Sequence, residues 1–455
     1  MTECIQESFV FAAVGAREVV ARFDGGHVVS DGGALLLGEV ERRTGLLHRF
    51  AACFTDQRDP LRIEHTVEEL IRQRLYALAL GYEDLNDHDQ LRRDPLLAVL
   101  SGKAEPTQNL LAGKSTLNRL ELTRPPADAG QHRYKRILFD PESADQLLVQ
   151  LYVEAQAAPP AEIVLDLDAT DNPLHGKQEG RFFHGYYGHY CYLPLYIFAG
   201  DHLLCARLRT ADQDGSAGAR DEVERIVGQL RQRWSTVKIT LRADSGFCRE
   251  ELMNWCEEHG VDYVFGLARN SRLHEMLSEA MAEAKQTYEA TGQPTRVFHE
   301  GRYQTRETWS RERRVVGKAE HLDKGANPRF VVTSLPTERW EAQALYEDLY
   351  CARGEMENRV KEQFQLFADR TSTHWLWSNQ LRLSLSAFAY VLLDTLRRVG
   401  LPGTEMEQAE VQTIRLRLLK IGAVVRVSVR KIWVSLASAH PAAPLFARAY
   451  AALRC

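Results

Sequence analysis

The order of elements between residues 163 and 267 narrows the possible folds more than any other feature of the chain. Ile163 to Asp168 reads as a short apolar strand, and Tyr190 to Ala199 and His202 to Leu208 read as two more, joined by Gly200-Asp201, which suits a tight hairpin turn. A helix follows, with Val223, Ile226, Val227 and Leu230 at the i, i+3, i+4 and i+7 positions of one face. Val237 to Leu241 is a fourth strand, Glu251 to His259 a second helix and Val261 to Leu267 a fifth strand. Three strands in antiparallel succession, followed by α-β-α-β crossovers, predict a mixed five-stranded sheet covered by helices.

That order is the one of the ribonuclease H fold. The rest of the chain arranges itself around it: residues 1–122 mainly helical, 123–160 a linker with one helix, 161–270 and 336–400 the core, 271–335 a β-rich insertion and 401–455 a basic C-terminal region. At the N-terminus Val19 to Val29 is strand-like and holds Gly25-Gly26, then Leu35, Leu36, Leu37, Val40 and later Val67, Leu70, Ile71, Leu75, Leu78 recur at helical spacing. Pro125-Pro126, Gly130 and Pro159-Pro160 bracket the linker helix, Ala144 to Ala155, and place a domain boundary near the last pair. The insertion shows a charged helix and then β-rich stretches at Arg296 to Phe298, Tyr303 to Glu320 and Phe330 to Thr333. The expected class is therefore α/β, with mainly helical N- and C-terminal regions.

Several function classes drop out. No apolar run approaches the roughly 18 residues of a membrane span, and MTECIQESFV carries no basic stretch ahead of an apolar core, so the expected compartment is the cytoplasm. The eight cysteines form no CxxC pair, which fits reduced thiols rather than a zinc site or a disulfide frame. GYEDLNDHDQLRRDP lacks the glycine and the closing Glu of a calcium loop, and GKST at Gly113 lacks the first glycine of a phosphate loop, since Gln108 stands there. The net charge is −5, from 57 basic and 62 acidic residues, against the basic excess usual for a simple nucleic-acid binder. Locally the balance reverses: Arg302, Arg306, Arg311, Arg313, Arg314 and Lys318 crowd one segment, and Arg415, Arg417, Lys420, Arg426, Arg430 and Lys431 another.

Three carboxylates stand out against this framework. Asp168 ends the first strand in IVLDLDATDN and Asp244 lies just beyond the fourth in ITLRADSGF. Ligand sites in open α/β sheets gather at strand ends, and hard divalent cations prefer carboxylate oxygens, so the pair suggests a metal; a turn or capping role for either Asp is the competing reading. Glu357 lies on a helix reading LYEDLYCARGEMENRVKEQF, where Tyr350, Arg353, Glu357 and Lys361 step by three or four residues along one face. Leu345, Leu349, Met356, Val360 and Phe364 supply the core-facing stripe and leave the polar one to face a ligand or solvent.

Taken together, FDGGHVVSDGGALLL, GYEDLNDHDQLRRDP, LDLDATDNPLHGKQEG, FFHGYYGHYCYLPL, RADSGF, YQTRETWSRERRVV and YCARGEMENRVKE follow one another in an order that resembles the DDE transposases of bacterial insertion sequences. The closest resemblance is to the insertion-sequence family numbered thirteen-eighty, within the group carrying a Y-R-E-K signature on its last catalytic helix. The resemblance implies that Asp168, Asp244 and Glu357 form the catalytic, metal-binding triad, with Asp166, two residues earlier on the same strand face, as a rival for the first position. Asp168 is preferred because a small residue and a Thr follow it, Ala169-Thr170, as in related transposases. Tyr350, Arg353 and Lys361 would contact nucleic acid. The chain departs from the pattern at one point: much of the group has its Lys seven residues after the Glu, where Phe364 stands here, and Lys361 is four away.

The resemblance further implies two Mg²⁺ ions, with Mn²⁺ as a substitute, about 3.5–4 Å apart and acting on the attacking and leaving oxygens of a phosphodiester. It implies binding to the terminal inverted repeats of double-stranded DNA, strand transfer of 3′-hydroxyl ends into target DNA, a homodimer on paired ends, and association with the nucleoid. The N-terminal segment and a basic helical tail, Thr413 to Leu436, would read the repeats. Trp309 among Arg306, Arg311, Arg313 and Arg314 would grip end DNA by phosphate contact and base stacking, a buried strand Trp being the alternative. Two rivals from other classes are a catalytically inactive, domesticated descendant that only binds DNA, and a glycosidase with an Asp/Glu pair, which the accompanying arginines disfavour.

Overall fold

A computed structural model describes residues 8–125 and 135–454, so the expected roles of Cys4, Pro126, Gly130 and Cys455 lie outside the described residues. The chain divides into two compact units. One comprises Asp140–Phe364 and Ala368–Ala387; the other comprises the described parts of Met1–Phe139 and Phe388–Cys455, with Gln365–Phe367. The division falls before the linker helix rather than at Pro159-Pro160, because that helix, α1 (Pro141–Ala155), packs its apolar side onto the sheet of the first unit.

In that unit β1 (Glu162–Ala169), β2 (Leu195–Ala199) and β3 (His202–Arg207) are followed by α2 (Ala219–Arg233), β4 (Lys238–Ala243), α3 (Glu250–Glu258) and β5 (Asp262–Leu267). Their spatial order is β3-β2-β1-β4-β5, with β2 antiparallel to β1 and with β4 and β5 parallel to it. This is the mixed, ribonuclease H-like sheet expected from the element order. The stretch Tyr190 to Ala199 is not one strand. Pro194, which has no N–H to donate to a ladder, lies between His189–Tyr192, part of a small separate sheet, and β2.

Alternation along β1 sets the layers. Ile163, Leu165 and Leu167 face a core shared with Val223, Ile226 and Leu230 of α2 and Met253 and Cys256 of α3. Val164 faces the opposite side, where Val264, Leu345, Tyr346 and Leu349 form a second core. Asp166 and Asp168 fall on that second face by the same period.

The insertion does not stand apart from this sheet. After α4 (Ser278–Thr291), the strands β6 (Thr295–Tyr303), β7 (Arg313–Leu322) and β8 (Arg329–Thr333) continue it in the order β5-β8-β7-β6, all antiparallel. Residues 304–312 are loop, not strand. The basic cluster is correspondingly different from its expected role. Arg313 is buried and held by Glu250 and Glu257 of α3 at 2.6 Å each. Arg314 is buried against Glu300 and the carbonyls of Leu335 and Trp340, and Trp309 is 6% exposed, edge-on to Tyr303 and under the Arg313 guanidinium. These three side chains are paired or packed inside the protein; Arg302, Arg306 and Arg311 of the cluster are exposed, Arg311 3.4 Å from Glu257.

The second unit joins the two ends of the chain, which the sequence reading kept apart. His27–Val29 pairs with Ala423–Ser428, which pairs with Lys431–Leu436. The basic tail is thus a short helical segment followed by a hairpin, not a helix. Val19 to Val29 is also broken: Ser8–Val14 and Arg17–Arg22 form a hairpin, and the strand resumes at His27. Gly33 explains the GG of SDGGALLL, since a Cβ there would meet the Leu418 carbonyl oxygen at 2.0 Å. Within the tail Arg415 is buried on the Ala79 carbonyl and Lys420 pairs with Asp31 at 2.6 Å, whereas Arg417, Arg426, Arg430 and Lys431 are exposed. No helix among the described residues is long and apolar enough to cross a membrane.

Removing one partner of a buried ion pair leaves the others unneutralised, at a cost of about 3–5 kcal/mol. Arg313→Ala is expected to lower stability by that order in urea or heat unfolding, because two carboxylates lose their counter-charge. A loss below about 1 kcal/mol would show that Arg313 is not a structural link.

Candidate active site

The site is built at the C-terminal ends of β1 and β4. In their parallel register Arg242 lies opposite Asp166 and Ala243 opposite Leu167, so the next step brings Asp244 level with Asp168. Two carboxylates 76 positions apart in sequence thus meet on one face at one level.

The two aspartates of β1 are distinguished by their partners. Asp166 is 3% exposed and takes both arms of Arg242, at 2.5 and 2.7 Å, while the third donor of Arg242 reaches the Leu349 carbonyl at 2.6 Å. Asp166 is therefore committed to a buried bidentate pair. Asp168 accepts only its neighbour's Ala169 N–H, at 3.0 Å. Burial pushes the Asp168 carboxyl up to about 6; Arg353 opposes the shift, and the nearby charges of Asp244 and Glu357 add to it.

Asp244 is half-buried, and one of its oxygens accepts the Gly246 N–H at 2.8 Å, so the turn role considered for it is real and leaves the second oxygen free of it. The Glu-bearing segment is not a uniform helix. A wide π-helical stretch, Leu345–Tyr350, passes through a tight turn, Cys351–Arg353, into α5 (Gly354–Gln365). Such changes of winding re-aim side chains and recur at functional sites. Here the change carries Arg353 to the acids: its guanidinium lies 3.7 Å from Asp168 and 3.3 Å from Glu357. The nitrogen nearest Asp168, Nη1, is buried and makes no hydrogen bond among the described residues. Glu357 is half exposed, and Lys361 points away to solvent, 3.4 Å from Asn358.

Gly266 and Arg242 belong to this site and were not anticipated. A Cβ on Gly266 would lie 2.7 Å from the Tyr350 hydroxyl and 2.9 Å from the Ser245 nitrogen, so only glycine lets Tyr350 reach the Asp244 turn. The signal was a glycine inside an otherwise apolar strand, which marks a close approach.

The arrangement supplies three carboxylates and one under-satisfied guanidinium. Among the described residues no group of three His, Cys, Asp or Glu is close enough to hold a metal ion, and the positive charge between Asp168 and Glu357 is that of Arg353. The donor chemistry nonetheless suits a hard cation, because all three acids offer oxygen and the charges of Asp244 and Glu357 both act on the largely buried Asp168.

The model of the family described as transposase DDE domain group 1 matches residues 11–455. No curated protein sequence matches the chain. Among solved structures the chain is similar to the piggyBac transposase in its synaptic complex with hairpin DNA, determined by cryo-EM, with a TM-score of 0.41 and 12% identity over 86% of this chain and 80% of that one.

The acid cluster has a consequence for stability. Asp168 has a folded pKa of about 6, above its unfolded value, so the folded state holds a proton that the unfolded state has already released between those values. That contribution is intact below about pH 4 and is lost as pH rises through 6. Asp168→Asn is therefore expected to raise the melting temperature at pH 8 and leave it unchanged at pH 4. Equal melting curves at pH 8 would remove the charge conflict from the site.

Proposed function

The chain belongs to transposase DDE domain group 1, and we propose that within it the chain cuts the ends of its own DNA element and joins the freed 3′-hydroxyls to target DNA. The sequence resemblance favours the thirteen-eighty insertion-sequence family and its Y-R-E-K signature group. The observation that carries the reading is the convergence of Asp168 and Asp244, level on adjacent strands, with Arg353 reaching from Asp168 to Glu357.

In this reading Asp168, Asp244 and Glu357 would hold divalent cations, Mg²⁺ with Mn²⁺ as a substitute. Bound ions supply activation of a water or 3′-hydroxyl and stabilisation of the leaving oxygen at neutral pH. Arg353 grips a non-bridging phosphate oxygen through Nη1, which is buried, lies 3.7 Å from Asp168 and makes no hydrogen bond among the described residues. Tyr350, its hydroxyl beside the Asp244 turn, and Lys361, on the exposed side of α5, bind the flanking phosphates. Exposed Arg417, Arg426, Arg430 and Lys431 in the second unit are suited to reading the inverted repeats through backbone contacts. Action on two ends calls for a homodimer.

Cleavage of pre-bound ends tests this. Ala at Asp168, Asp244 or Glu357 is expected to reduce the rate more than about a thousandfold with end binding retained, since metal catalysis supplies several kcal/mol. An active Asp168→Ala protein would sink the assignment. Arg353→Lys replaces a planar two-pronged donor by a point charge and is expected to slow cleavage well beyond twofold. Cation binding is separable from activity: Mg²⁺ should raise the melting temperature of the parent and not of Asp244→Asn.

A further inference from the structure

Between β1 and β2 the chain leaves the sheet at Ala169 and returns at Leu195, the residue paired with it, so whatever is inserted there stands at the acid end of the sheet. The insert is a small three-stranded sheet. Phe182–His184 and His189–Tyr192 form a hairpin around Gly185–Gly188, and Asn172–Pro173 pairs with its second strand, which is the central one. The hairpin's two faces differ. On one, Cys191 is buried with Leu193 and Ala211, and Tyr187 packs beside them. His189 on this side bonds Asp171 at 2.7 Å. On the other, Phe183 and Tyr190 sit directly opposite each other with rings 5.5 Å apart, and the Arg181 guanidinium covers Tyr190 at 4.5 Å.

That outer face carries large rings in solvent. Phe183 is 50% exposed and Tyr190 43%; in the turn Tyr186 is 87% exposed with its ring edge-on to Tyr187, and Phe182, opposite Cys191, is 48% exposed. Aromatics on a hairpin of this size ordinarily pack inward, and a contiguous exposed set marks a binding surface. The insert is rooted at Ala169, the neighbour of Asp168, so the hairpin stands beside the acid site, with Tyr187 on its inner side.

We propose that Phe183, Tyr190 and Tyr186 form a stacking platform for unpaired nucleotides next to the phosphate held at the acids. The inference rests on the DNA-cutting reading above and adds to it a second contact of a different kind. Ring faces stack only on bases whose own faces are open, which a continuous duplex does not offer and a cut or frayed strand does. Arg181 adds the positive charge that a nucleotide backbone requires, and it already lies over one ring of the platform.

The test uses the full chain and two fluorescent probes: a duplex of about 30 base pairs, blunt or with a 3′ overhang of about six thymidines. Stacking is tolerant of sequence, so these probes suffice. The parent should bind the overhang probe more tightly than the blunt one. Phe183→Leu combined with Tyr190→Leu keeps apolar packing and removes the rings; it should weaken overhang binding about tenfold and leave blunt binding unchanged. Tyr186→Ala, in the exposed turn, should act in the same direction. If both variants keep the parent's overhang preference, the platform is overturned and the DNA reading stands. A parent that binds neither probe overturns both. A change in sedimentation mass without a change in overhang preference would assign the face to contact between copies and overturn the proposal.

Discussion

Arg242 holds the candidate site together. Its guanidinium is almost buried, takes Asp166 on two arms and the Leu349 carbonyl on the third. A buried cation needs its partners in fixed places, because each unmet bond in a low-dielectric interior costs several times what it costs in water. Arg242 therefore sets the β1–β4 register on one side and the position of the Leu345–Tyr350 stretch on the other. Both consequences concern the acids: register brings Asp244 level with Asp168, and the anchored turn brings Arg353 to them.

The same link separates two neighbouring aspartates by chemistry. Asp166 and Asp168 have identical side-chain type and lie on one strand face, yet one is neutralised by a fixed guanidinium and the other faces two further carboxylates. The fixed guanidinium engages both oxygens of Asp166, whereas those of Asp168 face the other acids. The residual charge repulsion at Asp168 makes the site favourable for a cation or for the guanidinium of Arg353, which are alternatives for the same place.

The element order and the face on which both aspartates lie could be read from local pattern, because alternation and helical spacing act over a few residues. The roles of Arg242 and Arg313 could not. Asp166 lies 76 positions before Arg242, and Glu250 and Glu257 sit on a helix 56 to 63 positions before Arg313. A run of arginines reads the same whether its partners are phosphates or carboxylates brought in from elsewhere in the fold. The net charge of −5 was the hint in that direction, since 62 acidic residues leave many available as internal partners. The change of winding at Tyr350–Gly354 was also hidden, as a regular helical pattern does not reveal a turn widened to keep a carbonyl on Arg242.

Position in the sheet gives the site its reach. The three core strands that end near the acids lead into different kinds of structure: β1 into the aromatic hairpin, β4 into the Asp244 turn, and β5, through Gly266, into the space shared with Tyr350. A strand end can change its loop without disturbing the ladder behind it, so recognition can vary while the acids stay fixed. Extending the sheet beyond β5 by three antiparallel strands has a complementary effect. It buries Arg313 against α3 and gives the second core, where Leu345, Tyr346 and Leu349 pack, a wider floor of Val264, Val316 and Val331. The insertion thereby supports, from beneath, the segment that delivers Arg353 and Glu357.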